Sequence, residues 1–227
     1  MDVKHWKDLA ENQVPTSGDC HLWLAWLDEE NPELFQGILS KDEKLRAKRL
    51  RSPQGANRST VARGILRVLL GKYLLRTPER IVFSYGPNGK PRLADDLATG
   101  ISFNVSHSGN LVVFAIASSC EVGVDIEEVH PVSDIDATAS IFLSPDELAG
   151  FETLPAGEKL ERFFNLWTFK EAILKAYGTG FTGPARDVFS KIRESDPNIS
   201  GQDVMIKNRR LISFIPADGF RGALACL

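Results

Sequence analysis

Residues 111–129 constrain this chain most, because an apolar run is followed there by an alternating one. Leu111-Val112-Val113-Phe114-Ala115-Ile116-Ala117 has no polar side chain, and a short run of that kind reads as a buried strand. A Ser118-Ser119-Cys120-Glu121 connection leads into Gly123-Val124-Asp125-Ile126-Glu127-Glu128-Val129. Strand side chains alternate, so Val124 and Ile126 fall on one face of this second strand and Asp125 and Glu127 on the other. Two carboxylates roughly 7 Å apart on one face repel unless a cation lies between them, and oxygen-only ligands suit Mg²⁺. Acids on an alternating strand are ordinarily a solvated exterior. The pair means little until other residues join it.

A chain of 227 residues with 43% apolar and 25% charged residues has the composition of a soluble globular protein, in one large domain or two smaller ones. No run approaches the ~18 apolar residues of a membrane span, and Met1-Asp2-Val3-Lys4-His5-Trp6 lacks the apolar core of a signal peptide. Cys20, Cys120 and Cys226 are odd in number and widely spaced, which indicates neither a disulfide framework nor a thiolate metal site. A reducing cytoplasm is expected.

The net charge of −3 hides an asymmetry: residues 41–80 hold 12 Lys and Arg against 3 Asp and Glu. Such a segment is either a solvated helix face or a surface for an anionic ligand or partner. Nucleic acid is disfavoured as that partner, because residues 36–72 contain no Phe, Tyr or Trp on which bases could stack.

Along the chain, residues 20–27 read as a first strand. Ser40 and Glu43 form a capping box for a basic helix, Lys41–Arg51, which breaks at Ser52-Pro53-Gln54-Gly55. Val61, Ile65, Val68 and Leu69 place a second helix from about Asn57 to Leu75. Strands follow at 81–85 and 101–105, with turns at Gly86-Pro87-Asn88-Gly89 and Ser106-His107-Ser108-Gly109. Leu143-Ser144-Pro145-Asp146-Glu147 then opens another helix and repeats the Leu-Ser-x-Asp-Glu of Leu39–Glu43. Downstream, Arg63-Gly64-Ile65-Leu66-Arg67 parallels Glu171-Ala172-Ile173-Leu174-Lys175. A repeat near half the chain length suggests two similar α+β halves with a ligand cleft between them. The halves are expected at 1–105 and 106–227, each a small antiparallel sheet packed with helices.

Leu160, Phe163, Phe164, Trp167, Glu171 and Leu174 share one face of a helix. Glu171 thus lies in an apolar stripe, where a carboxylate needs a partner or a metal. Its bland alternative is a surface pair with Lys175. Taken together, Asp125, Glu127 and Glu171 offer three hard oxygen ligands, and Lys170 and Lys175 offer charge for a phosphate, which is the equipment of phosphoryl-group chemistry.

Gly123-Val124-Asp125-Ile126-Glu127 followed by Trp167-Thr168-Phe169-Lys170-Glu171-Ala172-Ile173-Leu174-Lys175 resembles the paired motif of the 4′-phosphopantetheinyl transferases. Asn104-Val105-Ser106-His107-Ser108 and Gly89-Lys90-Pro91 resemble two further segments of that family. The resemblance runs from about residue 40 to 185 and points to the two-domain, surfactin-synthetase-activating class. It implies coenzyme A in the cleft, with Mg²⁺ (or Mn²⁺) on its diphosphate held by Asp125, Glu127 and Glu171. It further implies Lys170 and Lys175 at the phosphates, Ser106 and His107 at the nucleotide phosphates, and Lys90 and Pro91 at the adenine end. Arg46, Arg58 and Ser59 would lie at the 3′-phosphate. A serine of an apo acyl or peptidyl carrier protein would attack, and 3′,5′-ADP would leave. Glu171 is the implied acceptor of the serine proton, with Glu127 or a metal-held water as alternatives. Glu43 departs from relatives that carry Lys there; Lys44 could substitute, or Glu43 could simply cap its helix. A monomer that touches neither nucleic acid nor membrane is expected. The rival readings are a Mg²⁺-dependent phosphohydrolase, which would release phosphate without a carrier, and a silent coenzyme A binding module.

Overall fold

The computed structural model describes residues 3–9, 15–94, 100–178, 204–206 and 209–227; the last part of the resemblance, 179–185, lies outside them. In chain order the elements are β1 (Val3–His5), β2 (Cys20–Trp26), α1 (Glu33–Gln36), α2 (Lys41–Lys48), α3 (Pro53–Leu74), β3 (Phe83–Tyr85), β4 (Pro91–Leu93), β5 (Ile101–Ser108) and β6 (Leu111–Ser118). Then come β7 (Val122–Glu128), α4 (Ile135–Phe142), α5 (Pro145–Glu152), α6 (Ala156–Tyr177), β8 (Val204–Ile206), β9 (Arg209–Phe214) and β10 (Phe220–Cys226). One sheet has the order β1-β2-β6-β5 and a second the order β7-β10-β9-β8, with β3-β4 a separate hairpin. β1 joins β2 in parallel, and the other pairs are antiparallel.

The apolar run becomes β6, and it is apolar throughout because both its faces are covered. Val112, Phe114 and Ile116 pack with Val61, Ile65 and Leu69 of α3. Leu111, Val113 and Ala115 pack instead with Val124 and Ile126 of β7 and Leu224 of β10. On the far side of the second sheet, Ala172, Ile173 and Ala176 of α6 meet Ala223 and Ala225. The layers therefore run α3, first sheet, second sheet, α6. Fully burying a large apolar side chain stabilises by about 1.5–3 kcal/mol, so this stack fixes where β7 lies against α6.

The internal repeat is a structural one. α2 and α5 are both eight residues long, opened by Ser40–Glu43 and Ser144–Glu147 capping boxes. α3 and α6 are both 22 residues long. In each half the capping-box acid also reaches the long helix: Glu43 Oε2 accepts from Arg67 Nε at 2.8 Å, and Glu147 Oε2 from Lys170 Nζ at 2.7 Å. Glu43 is 5% exposed, so it serves as a cap and a buried counter-charge.

Several boundaries differ from the sequence expectation. α2 ends at Lys48 and α3 begins at Pro53, because Ser52 accepts from Gly55 N–H and proline suits a first helical position. Ser106, His107 and Ser108 are not a turn: β5 continues through them, and the reversal is the two-residue Gly109-Asn110, with Gly109 at φ +58°. Residue 105 therefore lies inside β5, and β5 and β6 both belong to the first sheet. The chain changes sheet between Ser118 and Val122 instead. Although distant in sequence, the free thiols of Cys120 and Cys226 stand 3.2 Å apart. Among the described residues no helix is long and apolar enough to cross a membrane.

Candidate active site

The site forms where an edge strand of each sheet runs beside the other. β7 needs acceptors for its outer N–H groups, since an unpaired buried N–H is costly. β5 supplies them from side chains spaced two apart. Val124 N–H donates to Asn104 Oδ1 at 3.0 Å, Ile126 N–H to Ser106 Oγ at 3.2 Å, and Glu128 N–H to Ser108 Oγ at 3.0 Å. The same hydroxyls reach the acids between those amides: Ser106 Oγ donates to Asp125 Oδ1 at 2.9 Å and Ser108 Oγ to Glu127 Oε2 at 2.8 Å.

Asp125 faces α6, and Gly123 makes that approach possible. A Cβ on Gly123 would stand 2.1 Å from Ala172 O and 2.3 Å from Ala176 N, so only glycine lets the helix lie on the strand. Across this contact Lys175 Nζ donates to Asp125 Oδ1 at 2.6 Å and to Ser106 Oγ at 3.0 Å. Asp125 is 3% exposed and its Oδ2 is buried without a hydrogen-bond partner. Burial holds the Asp125 carboxyl above its usual pKa despite Lys175. Glu171 is also pushed up, first by burial and then by the charges of Asp125 and Glu127, with Lys175 opposing. The three acids thus share one electrostatic neighbourhood. Among the described residues, however, no group of three His, Cys, Asp or Glu side chains is drawn close enough to hold a metal ion.

His107 keeps an exposed edge beside this cluster. Desolvation lowers its pKa, as do the cations Lys175 and Arg58, while Glu127 opposes them. Arg58, at the start of α3, donates through Nε to Asp28 Oδ1 at 2.7 Å and through Nη1 to Gly109 O at 2.9 Å. Ser59 follows it, half-buried. Arg46 is exposed and stacks over the Tyr85 ring at 4.3 Å.

Two expected phosphate or nucleotide contacts are engaged elsewhere. Lys170 is 4% exposed, and its ammonium donates to Phe142 O at 3.0 Å besides Glu147. It sits there because the helix face that carries it packs on α4 and α5, so its charge serves the fold. Lys90 Nζ donates to Glu121 Oε2, Val122 O and Ala176 O at 2.9, 3.1 and 2.8 Å, clamping the β3–β4 hairpin to β7 and α6. What Lys90 and Pro91 offer a ligand is a wall of a cavity of about 520 Å³, also lined by Phe103, Cys120 and Leu227. It opens at the Ile101 end of β5, away from the acids. Asn104, Ser108 and Asp28 have no individual role in the sequence expectation. The signal for the first two was the polar alternation at 104, 106 and 108.

Comparison with known proteins agrees with a fold of two similar halves. The family described as the 4′-phosphopantetheinyl transferase superfamily matches residues 121–217, and the N-terminal 4′-phosphopantetheinyl transferase family matches residues 26–120. The junction falls where the chain changes sheet. The 4′-phosphopantetheinyl transferase HetI of a Nostoc species is 40% identical over 178 residues, covering 77% of this chain and 75% of the relative. Sfp of Bacillus subtilis is 29% identical over 174 residues, covering 77% and 75%. AcpT of Salmonella typhi is 35% identical over 151 residues, covering 64% and 75%. Two matched halves, the repeated helices and the acids at the seam lead to one conclusion: the chain belongs to the 4′-phosphopantetheinyl transferase superfamily, in its two-domain, Sfp-like form.

Proposed function

We propose that this protein transfers 4′-phosphopantetheine from coenzyme A to a serine hydroxyl of an apo acyl or peptidyl carrier protein, releasing 3′,5′-ADP. The observation that carries this reading is the acid cluster at the β5–β7–α6 seam. Asp125 and Glu171 have raised pKa values, and Asp125 Oδ2 is buried and unpartnered. A site with surplus negative charge and a spare carboxylate oxygen fits a hard cation. Asp125, Glu127 and Glu171 would draw closer together to hold Mg²⁺, or Mn²⁺, between them. Bound there, the ion would supply charge neutralisation for the diphosphate of the donor.

The chain's own residues have separate parts in this reading. Lys175 carries a positive charge beside Asp125 and can turn to a phosphate oxygen. Ser106 and His107 border the same space, and Arg58, Ser59 and Arg46 extend a basic edge along α3 and α2 toward the 3′-phosphate. Pro91 and the stem of Lys90 form an apolar wall for the adenine end, whereas the Lys90 and Lys170 ammonium groups hold the fold. Glu171 accepts the proton of the attacking serine. The halves are proposed to divide between Ser118 and Val122, and the protein to act as a monomer in the cytoplasm.

The test is intact-mass spectrometry of an apo carrier protein incubated with coenzyme A, Mg²⁺ and this protein. The expected result is gain of one phosphopantetheine, abolished by EDTA, by mutation of the carrier serine and by Asp125→Ala. Full activity of Asp125→Ala would refute the metal assignment. Phosphate released without a carrier would favour the hydrolase reading, and tight coenzyme A binding with no transfer to several carriers would favour the silent module.

A further inference from the structure

We propose that Ser108 is a positioning residue for the transfer, one that sets the orientation of the Glu127 carboxylate. Hydrogen-bonding capacity fixes where its proton points. A serine hydroxyl has one proton and two lone pairs. Ser108 Oγ accepts the Glu128 N–H at 3.0 Å, so its proton is directed away from that amide, to Glu127 Oε2 at 2.8 Å. The Glu128 N–H is fixed by the strand, so the strand fixes the hydroxyl and the hydroxyl fixes the carboxylate. Ser106 follows the same rule one step earlier. Its lone pairs take Ile126 N–H and Lys175 Nζ, leaving its proton for Asp125 Oδ1.

The two units repeat at a period of two along β5 and β7, which makes β5 a template for both acids. Asp125 has Lys175 as a second anchor. Glu127 is half-buried at the open end of the seam, and Ser108 is the neighbour that orients it. Hydrogen-bond partners behind a metal-binding carboxylate typically contribute ~10–100-fold in metal affinity or activity. This inference rests on the proposed role of Glu127 as a ligand.

The test is calorimetric measurement of coenzyme A affinity with and without Mg²⁺, alongside steady-state transfer kinetics, for wild type, Ser108→Ala, Ser108→Thr, Glu127→Gln and the Ser108→Ala/Glu127→Gln double variant. Ser108→Ala is expected to cut the Mg²⁺-dependent gain in affinity roughly tenfold. Ser108→Thr, which keeps the hydroxyl, is expected to restore it. In the Glu127→Gln background Ser108→Ala is expected to cost nothing further. If Glu127→Gln loses the Mg²⁺ effect while Ser108→Ala keeps it, the positioning role is overturned and the function stands. Equal losses from Ser108→Ala in both backgrounds would also overturn it, since a purely structural serine does not act through Glu127. If Glu127→Gln itself behaves as wild type, the ligand assignment fails and this inference with it.

Discussion

Replacing Gly123 by alanine should separate the helix that carries Glu171 and Lys175 from the strand that carries Asp125. The added Cβ would lie 2.1 Å from Ala172 O, 2.3 Å from Ala176 N and 2.9 Å from Ala176 Cα. All three are helix backbone, so no side-chain rotation relieves the contact, and α6 must retreat by about 1 Å to reach van der Waals distance. Overpacking ordinarily costs about 1–3 kcal/mol, and a backbone clash belongs at the upper end. At ~2–4 °C per kcal/mol for a chain of this size, the melting temperature is expected to fall by roughly 6–12 °C. Activity should fall further than stability. A shift of ~1 Å breaks the 2.6 Å contact of Lys175 with Asp125, and misplacement of that size can cost about 10²-fold in rate. The assay is calorimetric melting together with transfer rates at a temperature where both proteins are folded. Gly157→Ala is the control, because it lies in the same helix with nothing within 4 Å of its Cβ; it is expected to melt at or above wild type. A Gly123→Ala protein melting within about 2 °C of wild type with full turnover would refute the reasoning.

Other outcomes follow from the same geometry. Glu43→Gln leaves the Arg67 guanidinium, 3% exposed, without its counter-charge, and a loss of about 3–5 kcal/mol is expected in chemical denaturation; an unchanged midpoint would show that Glu43 is not the buried partner. Lys170→Met is expected to lower the melting temperature while the coenzyme A affinity of the folded protein, read by calorimetry, stays as in wild type; a large affinity loss would return Lys170 to the phosphates. The raised pKa of Glu171 means that the native state binds its proton more tightly than the unfolded chain does. Its ionisation therefore subtracts stability above the native value, and that loss is absent below the ordinary carboxyl value of about 4.3. In EDTA, Glu171→Gln is thus expected to melt above wild type near pH ~8, the advantage shrinking as pH falls toward ~4; a wild type that is the more stable at the higher pH would sink the idea. Coenzyme A with Mg²⁺ is expected to raise the melting temperature of wild type more than that of Asp125→Ala, and equal shifts would argue against metal at Asp125.

Much of the architecture was legible because it rests on local chemistry. The capping boxes at Ser40 and Ser144 announced both short helices, and the apolar spacing announced both long ones. The unbroken apolar run of β6 required cover on both faces, which α3 and the second sheet provide. The acids Asp125, Glu127 and Glu171 could be named as candidates, because carboxylates at strand and helix spacing on otherwise apolar elements are conspicuous in a sequence. Ser106-His107-Ser108-Gly109 misled, since serine and glycine favour turns in isolation. Here the edge of β7 offers a row of N–H donors, and pairing with those donors outweighs the local preference. Lys170 and Lys90 show a related limit: a lysine beside a motif reads as a ligand contact, but here both ammonium groups are bonded within the fold, and which face of a helix or hairpin is buried depends on what packs there. Local propensity, capping and periodicity are written in neighbouring residues, so the sequence alone determined the paired helices and the buried strand and offered the acids as candidates. Which hydroxyl holds which carboxylate, which lysine pairs with which acid, and why position 123 must be glycine were decided only when β5, β7 and α6 came together, because each depends on contacts between residues remote along the chain.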